Sequence, residues 1–231
     1  MNSYETKLFQ LQQDQQYILS KISHEIRNPV TLINSSLQLL SEKYPEIADC
    51  DYWEDIMDNM EYLKALLQDL SSYNNASRIS PQTVYMDIFL EKVAASVRPV
   101  LQYLNIQFEC RIRHPLPALS IDEIKIRQAL LNLIRNAEEA IQSPGEIRLS
   151  AQTDGAFLCI SVTDNGSGIP KEYLDTLFDP FVTHKPEGTG LGLSIVRTVA
   201  EAHGGTVSVQ TGSSGTTFTL QLPLSPETSV Y

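Results

Sequence analysis

The spacing of apolar residues near the start of the chain constrains the fold more than any other feature of the sequence. They recur every three or four positions, at Ile18, Ile22, Ile26, Val30, Ile33, Leu37 and Leu40. This spacing is typical of an α-helix that buries one face. It predicts one helix over residues 5–43, ended by Pro45, and a second over about 52–73 with the same pattern.

Two antiparallel helices bury two such faces poorly on their own, because each apolar face is wider than its contact with one neighbour. The sequence therefore predicts an all-α helical hairpin that forms a four-helix bundle with a second copy of the chain. Packing of the hairpin against the chain's own second domain is the alternative.

A largely polar heptapeptide, residues 23–29, lies within the first helix, whose apolar face continues through it at Ile26. At about 100° per residue, His24 lies roughly 200° from the apolar residues two positions away, and Asn28 follows one turn later on the same side. Glu25 places a carboxylate next to the imidazole, and Pro29 inside a helix costs about 3 kcal/mol. The pattern fits a phosphorylatable histidine on a helix that bends when a partner docks, or a surface histidine in a kinked helix.

Composition limits the classes of protein that remain. The 231 residues suffice for two domains, and residues 74–81 are polar and turn-forming, as in a linker. The net charge of −11 argues against nucleic acid and anionic membrane as partners. The sequence has no apolar run of membrane-spanning length and a polar start, so we expect a cytoplasmic protein. Its three cysteines lack the pairing of a zinc site or a disulfide framework.

After the linker the pattern becomes mixed. Strands are expected at 83–87, 106–112, 147–153, 157–163, 207–211 and 216–222, and helices at 89–104, 122–141 and 188–203. Asp122 is a plausible N-cap, and Asp154-Gly155 indicates a hairpin. Helices and mostly antiparallel strands that separate into two layers form an α+β sandwich. The expected domains are residues 1–77 and 83–224.

Two groups of polar residues in the second domain could bind a nucleotide. Asn132 and Asn136 lie four apart on one helix face, where their carboxamides could ligate Mg²⁺ or hold phosphate oxygens, or could form a solvated edge. Asp164 follows a strand expected to be buried and begins a loop over residues 164–170. Its carboxylate could accept a hydrogen bond from an adenine amino group. A calcium loop is less favoured, since further acidic ligands are absent.

Two later motifs complete this set. An aromatic segment, residues 178–181, precedes a loop over 182–187. The glycine-rich residues 188–193 are expected to open a helix, whose free backbone N–H groups would suit a polyphosphate. The glycine spacing and the lack of a preceding strand argue against a Rossmann dinucleotide site.

These five motifs, in this order, resemble the catalytic core of two-component sensor histidine kinases, over about residues 15–223. The heptapeptide around His24 resembles the H box. Four further segments resemble, in order, the N, G1, F and G2 boxes: Asn132 with Asn136, residues 164–168, residues 178–181 and residues 188–192. The resemblance implies a HisKA-type dimerisation and phosphotransfer domain, followed by an ATP-binding sandwich of the GHKL ATPase and histidine kinase type.

The resemblance implies that His24 attacks the γ-phosphate of ATP, with Glu25 as general base. The phosphoryl group would then pass to an aspartate of a response-regulator receiver domain. Asn28 matches the polar residue that orients water on the phosphorylated regulator, so phosphatase activity is also expected. The implied partners are a second copy of the chain, the regulator and a separate sensor protein; no nucleic acid or membrane partner is expected.

The resemblance also assigns the ATP-binding residues. They are Asn132, Asn136, Asp164, Gly166, Gly168, Lys185, Gly188, Thr189, Gly190, Leu191, Gly192 and Thr216. Adenine would lie on Asp164 and the phosphates over Asn136, Lys185 and the glycine-rich backbone. Mg²⁺ would lie on Asn132 and Asn136. Residues 182–187 would form a mobile lid, hinged at Gly188 and Gly190.

Two positions bear on the alternatives to a kinase. Related ATPases carry a water-activating glutamate at the position of Asn132, so an ATPase of the GHKL type is disfavoured. Many kinases carry a basic residue at the position of Glu139, whose carboxylate would repel phosphates unless Arg135 or Lys185 compensates. A scaffold that keeps the fold but does not phosphorylate is therefore the other alternative.

Overall fold

The computed structural model describes residues 3–141, 144–185 and 188–224, and for residues 3–18, Ser20 and His24 it describes only the backbone. The described residues divide into two compact units. The first contains the chain up to Asn75 together with His184–Thr189. The second contains the remainder, from Ala76 to Thr183 and from Gly190 onward.

The first unit is a helical hairpin, as predicted. Helix α1 (Ser3–Lys43) continues through Pro29, and helix α2 (Trp53–Asn75) follows a short 3-10 helix at Pro45–Asp49. The two helices share a small core of Val30, Met60 and Leu67, with Leu37 packed against it. Apolar side chains spaced along one side of each helix therefore hold the hairpin together.

Much of the apolar face of the hairpin stays exposed within the single chain. On α1 the exposed residues are Ile22 at 43%, Ile26 at 44%, Ile33 at 51% and Leu40 at 37%. On α2, Ile56 is 42% and Leu63 is 40% exposed. The predicted apolar face is thus split: one side packs between the helices, and the other forms an apolar seam whose described residues stay partly exposed.

The second unit is an α+β structure with a five-stranded sheet in the order β2-β4-β5-β7-β6. These strands are β2 (Ile106–Ile112), β4 (Gly145–Asp154), β5 (Phe157–Asp164), β6 (Thr206–Gly212) and β7 (Gly215–Pro223). β2 and β4 are parallel, and the other pairs are antiparallel. A separate antiparallel pair joins β1 (Gln82–Tyr85) to β3 (Ala118–Ile121).

Three helices cover one face of the five-stranded sheet. They are α3 (Met86–Tyr103), α4 (Glu123–Ala140) and α5 (Gly192–Ala202). Alternate residues along β4, β5 and β7 are buried, so one face of the sheet packs against the helices and the other faces solvent. The fold is therefore the predicted two-layer sandwich.

Two elements differ from the prediction. The last helix begins at Gly192, not at residue 188, because Gly190 has a φ of 68° and the chain turns there before the helix starts. The strand β3 was not predicted. It has only four residues, and it pairs with β1, which lies far from it in the sequence. A short strand held by a distant partner leaves little local signal.

Candidate functional site

The end of β5 places a carboxylate on the side of the sheet that faces the helices. Asp164 continues the alternation of buried residues along β5 and is only 5% exposed. Its Oδ1 accepts hydrogen bonds from the backbone N–H of Gly166, at 2.8 Å, and of Thr216, at 3.1 Å. Two backbone donors from different segments therefore fix this buried carboxylate and offset part of the cost of its burial.

A short hydrogen-bonded network extends from this carboxylate. The hydroxyls of Thr216 and Thr211 lie 3.0 Å apart, and Thr211 Oγ1 accepts the N–H of Ile169 at 2.8 Å. Residues of the β6–β7 hairpin thus hold the loop that follows Asp164. Thr211 was not singled out in the sequence, since one threonine in a predicted strand carries no signal for this role.

The glycines of the loop are required by close backbone packing. Gly168 has a φ of 74°, and a Cβ there would lie 2.0 Å from the carbonyl oxygen of Gly212. A Cβ on Gly166 would lie 2.5 Å from the carbonyl oxygen of Ala140, at the end of α4. Only glycine permits these approaches, which bring the loop against both β6 and α4.

Helix α4 carries the two predicted asparagines, both half-buried. Asn132 Nδ2 donates to the carbonyl oxygen of Gly192 at 3.1 Å, and this joins α4 to the first residue of α5. Because a carbonyl accepts only from the amide nitrogen, this bond also fixes the orientation of the carboxamide. The oxygen of Asn132 is then directed away from Gly192, and carboxamide oxygens are suitable ligands for Mg²⁺.

The glycine-rich segment packs against the aromatic segment before the lid. The carbonyl oxygen of Gly190 accepts the N–H of Phe181 at 3.0 Å, and a Cβ on Gly190 would lie 2.6 Å from the carbonyl carbon of Phe181. Leu191 is 1% exposed, so its side chain belongs to the core. Phe178 contacts Phe218 edge to face, at 6.3 Å between ring centroids. These contacts hold Phe181 and Gly190, which lie before and after the predicted lid, against each other within the second unit.

Three predicted nucleotide-binding residues belong to the helical unit. Lys185, Gly188 and Thr189 are part of the segment that groups with the hairpin. There, the N–H of Gly188 donates to the carbonyl of Lys185 at 3.2 Å, and Thr189 Oγ1 donates to Asp69 Oδ2 at 2.7 Å. Residues 186 and 187 of the predicted lid lie outside the described residues.

The carboxylate of Glu139, which departs from the kinase pattern, is paired with a guanidinium. Arg135 Nε lies 2.9 Å from Glu139 Oε1, one turn earlier on α4. The pair is partly exposed, so it contributes little to stability. It does, however, reduce the negative charge that Glu139 would present to a phosphate.

A histidine and an aspartate anchor the start of α4. Asp122 caps the helix, as predicted, and accepts from the N–H groups of Ser80, Ile124 and Lys125. Burial acts to raise the pKa of Asp122, but these donors and the charge of Lys125 outweigh it, so its pKa is lowered. His203 Nε2 accepts the N–H of Asp122 at 3.0 Å, and Nδ1 lies 2.7 Å from the carbonyl of Val199. Burial lowers the pKa of His203, against the smaller opposing effects of Val199 and Asp122.

The candidate phosphoacceptor region lies on α1. Glu25 and Asn28 are exposed, on the side of the helix away from the core with α2. The backbone of His24 is helical. The direction of its side chain lies outside the description and stays a prediction.

Within the part of the chain that the structure describes, no helix is both long and apolar enough to span a membrane. The same residues contain no cluster of three or more His, Cys, Asp or Glu that could hold a metal ion.

Comparison with known proteins decides the family. The His Kinase A (phospho-acceptor) domain matches residues 14–77, and the histidine kinase-, DNA gyrase B- and HSP90-like ATPase matches residues 121–226. The crystallised catalytic domain of histidine kinase ThkA is 30% identical, with a TM-score of 0.60; the match covers 64% of this chain and 98% of that domain. The chain belongs to the two-component sensor histidine kinases.

Curated relatives support this assignment. Sensor histidine kinase ZraS of Escherichia coli strain K12 is 34% identical over 90% of this chain and 45% of that protein. Sensory histidine kinase/phosphatase NtrB of Vibrio alginolyticus is 32% identical over 92% of this chain and 63% of that protein. The chain spans about half the length of these relatives, and it contains the two domains of a histidine kinase catalytic core in their usual order.

Proposed function

We propose that this chain is an ATP-dependent protein-histidine kinase that phosphorylates its own His24 and passes the phosphoryl group to an aspartate of a response regulator. The observation that carries the proposal is Asp164, a buried carboxylate held by two backbone donors beside a glycine loop, in a chain that also has a phosphoacceptor helix. Neither feature alone would support self-phosphorylation.

The chemistry needs only a nucleophile and a base from α1. An imidazole nitrogen of His24 attacks the γ-phosphorus of ATP, a P–N bond forms, and the P–O bond to ADP breaks. The proton of the imidazole goes to Glu25, the adjacent exposed carboxylate. The resulting phosphoramidate is labile enough to transfer its phosphoryl group to a regulator carboxylate.

The nucleotide would bind to the second domain. The carboxylate of Asp164 would accept from the adenine amino group, beside Thr216 and the loop of Gly166 and Gly168. The phosphates would contact the remaining predicted residues: Asn136, Lys185, Gly188, Thr189, Gly190, Leu191 and Gly192. Asn132 and Asn136 would hold Mg²⁺, which neutralises phosphate charge when it is bound.

Two observations favour a kinase over the alternatives. Asn132 donates to Gly192, and a carboxamide cannot activate water as the glutamate of related ATPases does. The pairing of Glu139 with Arg135 weakens the main argument for an inactive scaffold. A labelling experiment tests the proposal: acid-labile, base-stable phosphate from γ-labelled ATP is expected on the wild-type chain and not on His24→Gln. Equal label on both proteins would overturn it.

We further propose that Asn28 supports dephosphorylation of the regulator. It is exposed one turn after His24, and the name of the relative NtrB includes a phosphatase activity. Asn28→Ala is expected to slow dephosphorylation of a phosphorylated regulator at least tenfold and to leave self-phosphorylation intact. Ser35→Ala, at an exposed polar position on the same side of α1, is the control. An unchanged rate in Asn28→Ala would refute the assignment.

Several finer points belong to the same proposal. The exposed apolar seam of the hairpin supports a homodimer that completes a four-helix bundle. The domain limits of residues 1–77 and 83–224 stay predictions, as do a separate sensor protein and a cytoplasmic location. Nothing in the chemistry of the site requires nucleic acid or membrane.

A further inference from the structure

A cleft of about 520 Å³ lies in the second unit, between helix α3 and strand β2. One wall is a single face of α3, formed by Glu91, Ala94, Ala95 and Arg98, which follow helical spacing. The other wall is β2, including Cys110 and Ile112. The volume is in the range of small-molecule sites in proteins. The cleft shares no residue with the proposed nucleotide site.

The small side chains of α3 make the space. Ala94 and Ala95 lie where a larger side chain would reach across to β2, so the helix leaves a gap over the edge of the sheet. Together with Ile112 they give the cleft an apolar wall. Such a wall suits the hydrocarbon part of a ligand.

Arg98 provides a cationic group at this wall. Its guanidinium stacks over the ring of Phe108, 5.7 Å from the ring centroid, which fixes the direction of the side chain. The arginines of the neighbouring strands differ, since Arg111 and Arg148 both pair with Glu109. Among the side chains that the structure describes, Arg98 has no ion pair. A stacked guanidinium without a carboxylate partner is suited to bind a carboxylate of a ligand.

Cys110 lies beside this group. Side chains alternate along β2, so Phe108, Cys110 and Ile112 point toward the helix layer. Burial raises the pKa of the Cys110 thiol; the charge of Arg98 opposes the shift, and that of Glu91 adds to it. Glu91, Arg98 and Cys110 all line the same cleft, so the thiol is a reporter for it.

The backbone of β2 adds hydrogen-bonding groups. Among the strands that the structure describes, β2 is the terminal strand of its sheet and pairs with β4 alone. The N–H of Arg113 donates to Ala151 on β4, so by alternation the N–H and carbonyl groups of Cys110 and Ile112 face the open edge. A ligand in the cleft would find backbone donors and acceptors next to Arg98.

We propose that this cleft binds a small organic monoanion, with its carboxylate on Arg98 and its apolar body against Ala94, Ala95 and Ile112. A single negative charge is favoured because Glu91, on the same wall, would repel a ligand with more charge. Two other basic residues also line the cleft, but Arg111 pairs with Glu109 and His114 contacts Asp87. The site is separate from the proposed kinase chemistry, so it does not depend on that function.

Paired thiol reagents test the proposal on the full-length chain. Iodoacetate carries a carboxylate, and iodoacetamide is its neutral analogue. The ratio of their alkylation rates at each cysteine is measured by peptide mass spectrometry. Any effect of Arg98 on the thiol pKa cancels in this ratio, because both reagents react with the same thiolate. The exposed Cys50 is the internal reference.

The iodoacetate preference of a cysteine is its alkylation rate with iodoacetate divided by its rate with iodoacetamide. This preference is expected to be about tenfold higher at Cys110 than at Cys50, a ratio that corresponds to the lower end of the free energy of a hydrogen bond to a charged group. Arg98→Met should reduce the preference to that of Cys50. Arg113→Met, which removes an exposed guanidinium that does not line the cleft, should leave it unchanged. Equal ratios at Cys110 and Cys50, or an unchanged ratio in Arg98→Met, would overturn the proposal.

A second measurement needs no substitution. Millimolar butyrate is expected to slow the reaction of Cys110 with iodoacetamide, whereas butyramide of the same shape should not, and Cys50 should respond to neither. Protection by both compounds would show a neutral apolar pocket and contradict the role of Arg98. Protection by neither would contradict the site itself.

Discussion

The charge of Asp164 governs the proposed nucleotide site at the scale of single residues. Its Oδ1 accepts two backbone hydrogen bonds, and the residue is nearly fully buried. Burial of a carboxylate costs free energy, and the two N–H donors recover only part of it. A ligand amino group that donates to this carboxylate would therefore gain more than the same contact gains in water.

Asp164→Asn should weaken ATP binding at least tenfold. The carboxamide can still accept from Gly166, but it has lost the charge that strengthens a hydrogen bond to adenine. Titration with a fluorescent ATP analogue measures the dissociation constant. Asp175→Asn, at an exposed aspartate outside the site, is the matched control. Equal affinity in all three proteins would show that adenine does not depend on Asp164.

His203 should make stability depend on pH near neutrality. The folded-state pKa of His203 lies below the ordinary value of 6.5, because burial disfavours the charged ring. In the neutral ring, Nε2 accepts the N–H of Asp122. The unfolded chain therefore binds this proton at a higher pH than the folded chain does. The stabilisation is complete above about pH 6.5 and is lost as the pH falls from there toward the folded-state pKa.

The matching measurement is the Tm between pH 7.5 and pH 5.5. The Tm of the wild type should fall across this window, and His203→Gln, whose side-chain oxygen can still accept from Asp122, should flatten the fall. His184→Gln, which removes an exposed histidine, should behave like the wild type. A fall as steep in His203→Gln as in the wild type would contradict the assignment.

Gly168 should not tolerate a side chain. Its φ of 74° costs an alanine about 1–2 kcal/mol, before the contact of a Cβ with the carbonyl oxygen of Gly212 at 2.0 Å. Gly168→Ala is therefore expected to lower the Tm by several degrees and to weaken ATP binding. The control is Gly212→Ala, where a Cβ would meet nothing within 4 Å. Calorimetry measures the Tm of both variants, and the ATP titration measures their affinities for ATP. Similar values for Gly168→Ala and Gly212→Ala would refute the structural role of Gly168.

At the scale of elements, the hairpin carries two apolar seams. One closes between α1 and α2 around Val30, Met60 and Leu67. The other, on the same helices, leaves Ile22, Ile26, Ile33 and Leu40 between about one third and one half exposed. A regular, exposed apolar seam of this kind indicates an interface, and a second copy of the hairpin is complementary to it by symmetry.

Ile33→Asp should dissociate the proposed dimer. Each copy would bring a carboxylate into the apolar seam, so the dimer dissociation constant is expected to rise about a hundredfold, or by about 3 kcal/mol. Ser35→Asp adds the same charge at an exposed polar position on another side of α1 and should leave the dimer intact. Sedimentation equilibrium measures both. A monomeric wild type, or an unaffected Ile33→Asp, would rule out this seam as the interface.

Elements with a strong local pattern were predictable from the sequence. The periodicity of α1 and α2, the alternation in β2, and the cap at Asp122 each depend on residues within one or two turns, and the structure confirms them. β3 was missed because its partner β1 is distant in the sequence. The start of α5 was misplaced because a glycine can either open a helix or turn the chain, and Gly190 does the latter.

The residues of the candidate site were likewise predictable only where a local sequence motif contains them. Asp164 and the two asparagines lie in motifs that the sequence displays. Thr211 was missed because its role depends on the register of the hairpin, which no motif displays. Arg135 was named in advance as one of two residues that could compensate Glu139, and the structure pairs these two side chains.

At the scale of the whole molecule, the proposal divides the work between two domains. The helical domain would supply the acceptor, the base and the dimer seam, and the sandwich domain would supply the nucleotide. Neither domain could carry out self-phosphorylation alone. A test of the whole must therefore follow the γ-phosphate and the ADP together.

The most direct measurement is the yield of ADP and of acid-labile protein phosphate in one reaction with Mg²⁺ and γ-labelled ATP. Wild type and Asp175→Asn are expected to release about one ADP for each phosphate incorporated, because the P–O bond to ADP breaks only as the P–N bond to His24 forms. His24→Gln should give neither product, and Asp164→Asn should give less of both at the same ATP concentration because its affinity for ATP is lower. ADP released without protein phosphate would identify an ATPase, and label retained by His24→Gln would place the acceptor elsewhere; either result would contradict the proposed kinase.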